Sequence, residues 1–392
     1  MSHIFLKHVL LILMTGAMVG VFLLFREHAG IRQFERNYKT EESGREHSKE
    51  SRPSRRECTR KNNIGFFKMH KCGSSTMQNI LMRYGDRHNL NFVLPWRSNV
   101  FSQTHLRLSR DLVKSFPGHD YNILCHHTRY SKEGFDSLLP ADSTYVTIIR
   151  DPTTLFESLY TYFRYDERFG VPLETFLENP QQYGRSNSYG YEGTGCYAKD
   201  SMLFELGLDD IEKADPKVIE EMIHRTASEF ELVMIMEYFS ESLILLKELM
   251  CWDIEDVSYF VVNGRATSFI NKLSDETAER IRKWNDGNTK LYRFFNETFW
   301  RKVKKFGEDR MREEVAKLEE LNKRMADRCV QTEILNAVWH PDGVDIKSYK
   351  VKDSARNDRD CQLITKEELA FTNYLRKKQL EKYFGLKLMD EL

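Results

Sequence analysis

The sequence lacks several features that mark common classes of protein. Lys plus Arg and Asp plus Glu both number 59, so the 392-residue chain has no net charge, whereas a general nucleic-acid binder shows a basic excess. Its seven cysteines form no CxxC motif and no Cys/His spacing typical of zinc. No internal repeat is present. These absences leave a chain of one large or two ordinary domains in which any basic site is local.

The sequence also lacks an ordinary P-loop, although one segment is related to it. Residues 64–76 run from apolar, β-favouring residues into a turn of small and hydroxyl residues, and a helix is predicted next. Lys71 precedes Gly73, whereas the P-loop lysine follows the second glycine of its motif. Free helix N–H groups, hydroxyls and the charges of Lys68 and Lys71 favour a phosphate or sulfate ester. Because Ser and Thr also favour N-caps, the segment alone is compatible with a simple capped turn.

Charge is absent from residues 9–25, whose length is at the low end of the roughly 17–25 residues of a membrane-spanning helix. A cleaved signal peptide has a shorter apolar region, of about 7–15 residues, and a small-x-small site that is missing here. We therefore expect a transmembrane signal anchor after a cytoplasmic tail of residues 1–8. The polar residues 26–61 predict a flexible lumenal stem, with a helical stalk as the alternative, and the catalytic domain is expected at 62–392.

A lumenal location has consequences for cysteines and glycans. Some of the seven cysteines should pair, and the odd number leaves at least one free or joined between chains. Cys72, inside the turn, is a candidate for the free one. The sequence Asn296–Glu297–Thr298 is an N-glycosylation sequon, and Asn296 is its acceptor.

Apolar runs alternate with helical periodicity after the stem, which indicates an α/β protein with a parallel sheet. One strand is predicted at the start of residues 64–76, and further buried strands are predicted at residues 121–125, 144–149 and 230–236. Helices are predicted at residues 155–163, 240–249, 301–328 and 365–383, and a loop at 353–360. In parallel sheets, ligands bind beyond the carboxyl ends of the strands, so residues that follow the apolar runs are candidates for a site.

Two further groups of polar residues follow apolar runs in this way. Arg150 ends one run, and Ser158 lies eight residues later, about two turns into the next predicted helix. Arginine donates in a bidentate fork, so this pair suits the 3′-phosphate of a nucleotide. His126 and His127 end another run.

Six pieces of sequence carry a resemblance to a known family. They span roughly residues 62–310 and are FFKMHKCGSST, ILCHHTRY, TIIRDPTTLFESLYTYF, MLFELGL, FELVMIMEYFSESLILLKELMCWDIEDVSYF and LYRFFNETFWRKV. On these pieces the chain resembles the galactose-3-O-sulfotransferase family, which includes galactosylceramide sulfotransferase. It resembles heparan sulfate 2-O-sulfotransferase more distantly. A lysine ahead of a small-residue turn is also the pattern of sulfotransferases that use 3′-phosphoadenylyl sulfate (PAPS).

The resemblance implies a P-loop-NTPase-like sulfotransferase fold, with a central parallel sheet flanked by helices, after a single N-terminal transmembrane helix. It implies transfer of a sulfuryl group from PAPS to the 3-hydroxyl of terminal β-galactose on glycolipid or glycoprotein glycans. The expected setting is the Golgi lumen, on a type II membrane protein. No metal and no nucleic-acid partner are expected. The oligomeric state stays open, with a homodimer as one option.

The resemblance also assigns roles to residues. Those expected to bind the PAPS co-substrate are Lys68, Lys71, Cys72, Gly73, Ser74, Ser75, Thr76, Arg150 and Ser158. Lys71 would stabilise charge on the departing nucleotide, PAP. A sugar hydroxyl needs a general base, for which His127 is favoured and His70 is the rival. The candidates for acceptor contacts are His126 and Arg129, followed by Tyr160, Tyr162 and Trp284.

Three other functions remain open from the sequence. One is a PAPS-dependent enzyme acting on a uronic acid or a hexosamine; acidic polymers call for a long basic groove, which the neutral net charge disfavours. Another is a membrane-anchored nucleotide-binding protein without turnover, against which the retained Lys71, Arg150, Ser158 and His127 argue. The last is a P-loop kinase, which conflicts with the position of Lys71 and with a lumenal domain.

Overall fold

The computed structural model describes residues 58–101, 106–113, 120–184, 195–209, 211, 214–266, 272–337 and 344–385. The predicted tail and anchor, and most of the predicted stem, lie outside these residues. Among the helices of the described ranges, none combines the length and apolarity needed to cross a membrane. Residues 59–392 form one compact unit.

A five-stranded parallel sheet lies at the centre, in the order β2-β3-β1-β4-β5. Its strands are β1 (Ile64–Phe67), β2 (Phe92–Val93), β3 (Ile123–Leu124), β4 (Thr144–Ile149) and β5 (Leu232–Ile235). Every residue of β1 and β4 is buried, because helices cover both faces of a parallel sheet. This is why these strands read as continuous apolar runs, and the predicted α/β class with a parallel sheet is confirmed.

Helices connect and flank the strands. The first seven are α1 (Ser74–Arg87), α2 (Lys132–Leu138), α3 (Pro152–Tyr162), α4 (Tyr165–Phe169), α5 (Leu173–Glu178), α6 (Pro180–Gly184) and α7 (Ser201–Glu205). The others are α8 (Pro216–Glu229), α9 (Phe239–Met250), α10 (Asp275–Trp284), α11 (Asp286–Phe306), α12 (Glu308–Cys329), α13 (Arg359–Ile364) and α14 (Glu368–Phe384). Short 3₁₀ turns lie at Arg110–Leu112, Gly195–Ala198, Met236–Tyr238, Ile254–Val257 and Asp353–Ala355.

Two predictions in the second half of the chain need correction. The single helix predicted at 301–328 is divided between α11 and α12 at Gly307, whose φ of 101° ends the first helix. Apolar positions continue on both sides of the break, so their spacing did not reveal it. The loop predicted at 353–360 contains a 3₁₀ turn, and α13 begins at Arg359 after the side chain of Asp358 caps its N-terminus.

The C-terminal region adds a hairpin, which the sequence did not predict, and helix α14, which agrees with the helix predicted at 365–383. Strands β6 (Val330–Leu335) and β7 (Lys347–Val351) pair antiparallel. A disulfide joins Cys329 to Cys361. Helix α14 covers the sheet edge, where the Gln379 amide accepts from the Phe92 N–H at 2.6 Å and donates to the Phe92 carbonyl at 3.2 Å. These backbone groups of an edge strand are therefore hydrogen-bonded to a side chain and are not open to pairing with another strand.

The structure also describes the state of four other cysteines. Cys58 and Cys251 are also disulfide-bonded. Cys72 and Cys125 are free and fully buried. The prediction that Cys72 is unpaired is therefore confirmed, and burial raises the pKa of its thiol well above the ordinary value, which keeps it protonated and unreactive.

Candidate active site

The turn between β1 and α1 has the backbone geometry of an anion site. Lys71 and Gly73 both have left-handed backbone angles, with φ of 58° and 72°. Left-handed residues in tight turns gather neighbouring N–H groups into concave anion-binding nests. Gly73 is the N-cap residue of α1 and has no side chain, so the first helical N–H groups receive no side-chain cap from it. The turn thus presents free N–H groups and the positive end of a 14-residue helix.

The three hydroxyls of the turn are engaged within the protein. Ser74 donates to the carbonyl of Met69, and Ser75 donates to the carboxylate of Glu368 at 3.2 Å. Thr76 accepts from the backbone N–H of Val262 at 3.0 Å. These bonds hold the turn in shape. Contact of these hydroxyls with a ligand stays a prediction.

Lys68 is placed differently from the lysine that follows it. Its side chain is 0% exposed, and its ammonium forms an ion pair with Glu368 at 2.7 Å. Glu368 also accepts from the Asn99 amide at 3.0 Å. Burial lowers the pKa of Lys68, and the Glu368 carboxylate opposes that shift. Glu368 thus supplies the counter-charge that allows a lysine to be buried beside the turn.

Cationic side chains converge beside the turn. The Arg150 guanidinium donates to the carbonyl of Lys71 and to the hydroxyl of Thr154, both at 2.9 Å. Burial, together with the nearby charges of Arg150 and Arg265, lowers the pKa of Lys71 to about 7. Arg265 is paired bidentately with Glu157. Among the described residues, Lys71 and Arg150 contact neutral groups, so positive charge is in excess at this point.

Ser158 and Cys72 complete the set predicted to bind the nucleotide. Ser158 is buried on α3, directly after Glu157, the carboxylate that pairs with Arg265. The side chain of Cys72 lies in the core, so only its backbone remains to face a ligand. Contact of either residue with a nucleotide stays a prediction.

Two histidine rings lie face to face next to the turn. The rings of His70 and His127 are stacked, with centroids 3.9 Å apart and planes 18° apart. His70 is held by Glu205, whose carboxylate accepts from the His70 backbone N–H at 3.0 Å and lies 2.5 Å from ring Nδ1. His127 Nδ1 lies 3.1 Å from the carbonyl of Lys68. The structure therefore brings together both histidines that the sequence left as rivals.

These contacts fix which nitrogen of each ring is available. Because a carbonyl and a carboxylate accept hydrogen bonds, Nδ1 carries the proton in both rings and Nε2 keeps its lone pair. Burial, helped by the nearby His70 and Lys68, lowers the pKa of His127 well below 6.5, so this ring is neutral. The Glu205 carboxylate orients the His70 ring through its contact with Nδ1.

Together with Glu205, the two histidines form a group that could hold a metal ion. His70, His127 and Glu205 each offer one ligand atom, and these atoms lie within 4.8 Å of one another. The two rings are stacked, and both oxygens of Glu205 already contact His70. This geometry is that of a hydrogen-bonded pair in which a carboxylate orients an imidazole.

Aromatic rings extend from the histidines toward Lys71. Tyr197 lies 4.9 Å from His70, and its ring is stacked on Phe163 at 5.4 Å. Phe163 contacts Tyr162 at 5.3 Å, and the Lys71 ammonium lies 3.9 Å from the centre of the Tyr162 ring. The two histidines, Lys71 and the aromatic rings between them are therefore neighbours, and all of them are partly exposed.

The remaining sequence candidates lie in structural positions. His126 is fully buried, with Nε2 2.9 Å from the Thr372 hydroxyl. Arg129 pairs with Asp209 and donates to the Phe204 carbonyl. Tyr160 is buried and Trp284 packs in the same cluster, each with its donor bound to a backbone carbonyl. Asn296 is half-buried within α11, and its glycosylation stays a prediction.

Sequence reasoning missed four residues of this site, namely Glu205, Glu368, Arg265 and Tyr197. A carboxylate within an apolar run is rare unless it has a partner, so Glu205, inside the piece MLFELGL, carried a usable signal. Glu368 had no such mark, because it belongs to an ordinary charged helix start and meets the turn only in the folded chain.

Comparisons with known proteins identify the family of this chain. A family model described as galactose-3-O-sulfotransferase matches residues 2–379. A galactosylceramide sulfotransferase of Homo sapiens is 39% identical over 282 residues, 70% of this chain and 65% of its own length. A galactose-3-O-sulfotransferase 3 of Mus musculus is 33% identical over 342 residues, 81% of this chain and 78% of its own length.

A solved structure was also found among bacterial proteins. It is a sulfotransferase from Alicyclobacillus acidocaldarius, 13% identical, covering 61% of this chain and 97% of its own with a TM-score of 0.32. The match to the family model extends over far more than half of the residues, and the two named relatives exceed 30% identity. This chain belongs to the galactose-3-O-sulfotransferase family.

Proposed function

We propose that this chain transfers a sulfuryl group from PAPS to the 3-hydroxyl of a terminal β-galactose on glycolipid or glycoprotein glycans. One observation carries the proposal above the others. An anion-binding turn with surplus positive charge directly adjoins a histidine that a buried carboxylate holds in the basic tautomer. Anion binding and proton removal are the two tasks of sulfuryl transfer to an alcohol, and residues for both lie within four consecutive positions, 70–73.

The residues beside the turn fit an anionic nucleotide. The N–H groups at the start of α1 and the ammonium of Lys71 would hold the 5′-phosphosulfate, as expected of a helix N-terminus. Arg150 and Ser158 would hold the 3′-phosphate, with Arg265 nearby. Lys68 would not contact the nucleotide. It would support the turn through its ion pair with Glu368. PAPS supplies a sulfuryl group on a good leaving group when bound.

The reaction exchanges one sulfur–oxygen bond for another. The galactose oxygen forms a bond to sulfur while the bond from sulfur to the bridging phosphate oxygen breaks, and the hydroxyl proton passes to histidine. Lys71 neutralises the charge that develops on the bridging oxygen. Such in-line transfers depend chiefly on positioning and charge, which is what a rigid turn and two oriented rings provide.

Two features favour His70 over His127 as the base, although the sequence favoured His127. The Glu205 carboxylate stabilises the imidazolium that forms when His70 takes a proton, whereas burial of His127 opposes that charge. His127 would then support His70 by stacking and would present its own Nε2 to the acceptor. In this arrangement the two histidines act as a pair.

The setting of the enzyme is part of the proposal. We place the catalytic domain in the Golgi lumen, anchored by residues 9–25 as a single-pass type II protein, and a homodimer is compatible with it. The charge-free segment and the disulfide Cys329–Cys361 support this setting, because disulfides persist in oxidising compartments.

A radiolabelled sulfate-transfer assay with galactosyl-lipid and lactosyl acceptors tests the function directly. We expect label on the galactose 3-hydroxyl, and methylation of that oxygen should abolish transfer. In the same assay, His70→Ala and His127→Ala should each lower turnover by about 10²-fold or more while PAP still binds. Transfer to no galactoside, with PAP bound normally, would leave a nucleotide-binding protein and end the proposal. Near-normal turnover in His70→Ala would return the role of base to His127.

A further inference from the structure

Three aromatic rings form one wall between Lys71 and the stacked histidines. The wall consists of Tyr162, Phe163 and Tyr197. Tyr162 lies under the Lys71 ammonium at 3.9 Å, whereas Tyr197 lies 4.9 Å from His70. Phe163 joins them, in contact with Tyr162 at 5.3 Å and stacked on Tyr197 at 5.4 Å with planes 22° apart.

The side chains of the wall are neither fully buried nor fully exposed. All three side chains are partly exposed, as are His70 and Lys71. By contrast, Tyr160 and Tyr165, on the same stretch of chain, are buried. Half-buried aromatic rings beside reacting groups are typical of ligand sites, where they supply apolar contact area at little entropic cost.

We propose that Phe163 and Tyr197 bind the apolar face of the galactose ring in the acceptor. This inference rests on the proposed function, because that reaction fixes where the sugar must be. Its hydroxyl has to reach histidine Nε2 while the sulfuryl group is held near Lys71. A sugar in that position lies against the rings that connect the two groups.

The chemistry of galactose fits such a wall. Its axial 4-hydroxyl leaves the hydrogens on carbons 3, 4 and 5 together on one face, and this apolar face can stack on an aromatic ring. In glucose the 4-hydroxyl is equatorial and that face is divided. The sugar is neutral, and the Phe163 and Tyr197 side chains carry no charge. The wall therefore recognises shape and epimer, while Tyr162 remains with Lys71 on the donor side.

Binding can be measured without turnover. The full-length chain is saturated with PAP, and the affinity for methyl β-galactoside is measured by calorimetry or ligand-observed NMR. We expect Tyr197→Ala and Phe163→Ala to raise the Kd for the galactoside by about tenfold or more, the scale of a lost aromatic contact. Tyr197→Phe keeps the ring and should stay within about twofold of wild type. Wild type should bind methyl β-glucoside more weakly than the galactoside.

Control variants separate binding from folding. Tyr197→Leu and Phe163→Leu keep most of the apolar volume and should still weaken galactoside binding, with PAP affinity unchanged. Trp300→Ala, an exposed aromatic residue of α11, should leave both affinities unchanged. Equal galactoside affinity in wild type and in the Ala and Leu variants overturns the inference, as does a parallel loss of PAP affinity. A wild-type protein that binds the galactoside through the wall but transfers no sulfate contradicts the proposed function alone.

Discussion

Glu205 makes two contacts with one residue, His70: its carboxylate accepts from the backbone N–H at 3.0 Å and lies 2.5 Å from ring Nδ1. The first contact fixes the chain at the entrance to the turn, and the second fixes the tautomer of the ring. Position and tautomer of His70 therefore depend on one side chain, contributed by α7, 135 residues away in sequence.

Glu205→Gln should lower kcat by about 10²-fold or more, the range for loss of acid–base catalysis. The substitution keeps the size of the side chain but removes the charge that stabilises a protonated His70. PAP affinity should change little, because Glu205 does not belong to the anion-binding turn. Steady-state kinetics with a lactosyl acceptor and calorimetry with PAP measure the two quantities.

Combining this change with His70→Ala gives the decisive control. If Glu205 acts through His70, the double variant should be no slower than His70→Ala alone. Glu133→Gln, on the exposed side of α2, should behave as wild type. Additive losses in the double variant, or a kcat within twofold of wild type for Glu205→Gln, would contradict the role given to Glu205.

The affinity for PAP should rise as pH falls from about 9 to about 7. Burial and the neighbouring Arg150 and Arg265 lower the pKa of Lys71 to about 7, so the free protein gains the ammonium over this range. An anion binds the charged form, and affinity should change by up to about tenfold per pH unit above that pKa. Lys71→Arg stays protonated and should give a flat profile. Calorimetry at several pH values measures both, and a flat wild-type profile would refute the prediction.

Glu368→Ala should lower the free energy of unfolding by about 3–5 kcal/mol, because it leaves the buried ammonium of Lys68 without its counter-charge. Replacing both partners by apolar residues, Lys68→Met with Glu368→Leu, should recover most of the loss. Glu381→Ala, exposed on the same helix, serves as the matched control. Urea unfolding followed by tryptophan fluorescence measures all three. A loss in Glu368→Ala no larger than in Glu381→Ala would show that the ion pair contributes little.

Stability should fall as pH drops below 6.5, in part through His126. Burial lowers the pKa of this fully buried ring well below 6.5, so it stays neutral in the folded protein. The unfolded chain takes up the proton first, and each such histidine removes about 1.4 kcal/mol per pH unit below 6.5. His126→Gln should therefore show a shallower fall between about pH 6.5 and 5.5 in urea unfolding. Equal slopes in the two proteins would mean that His126 is protonated when folded.

Local features of the fold were predictable from the sequence. The strand Thr144–Ile149 agrees to the residue with its apolar run, because both faces of a central parallel strand are buried. The start of α1 was marked by the change from apolar to small hydroxyl residues. Lys71 and Arg150 were also identified from the local sequence. Lys71 lies in the turn after β1, and Arg150 directly follows β4.

Contacts between distant segments were not predictable in this way. The turn hydroxyls were expected to face a ligand, yet Ser75 donates to Glu368, 293 residues later. Rivalry between His70 and His127 arose because a sequence cannot show that two rings stack. Lys68 and Lys71 cannot be told apart by charge in the sequence. In the structure, Lys68 is buried and its charge is balanced by the Glu368 carboxylate.

The long separation between the turn and α14 also matters while the chain is being made. A ribosome that adds about 5–20 residues per second needs roughly 15–60 s to cover the 293 residues from Ser75 to Glu368. Until Glu368 is made, the ammonium of Lys68 lacks the carboxylate with which it pairs in the folded protein. A stop codon anywhere before position 368 makes that condition permanent. Messages truncated late in the reading frame should thus yield chains that chaperones retain and proteases remove.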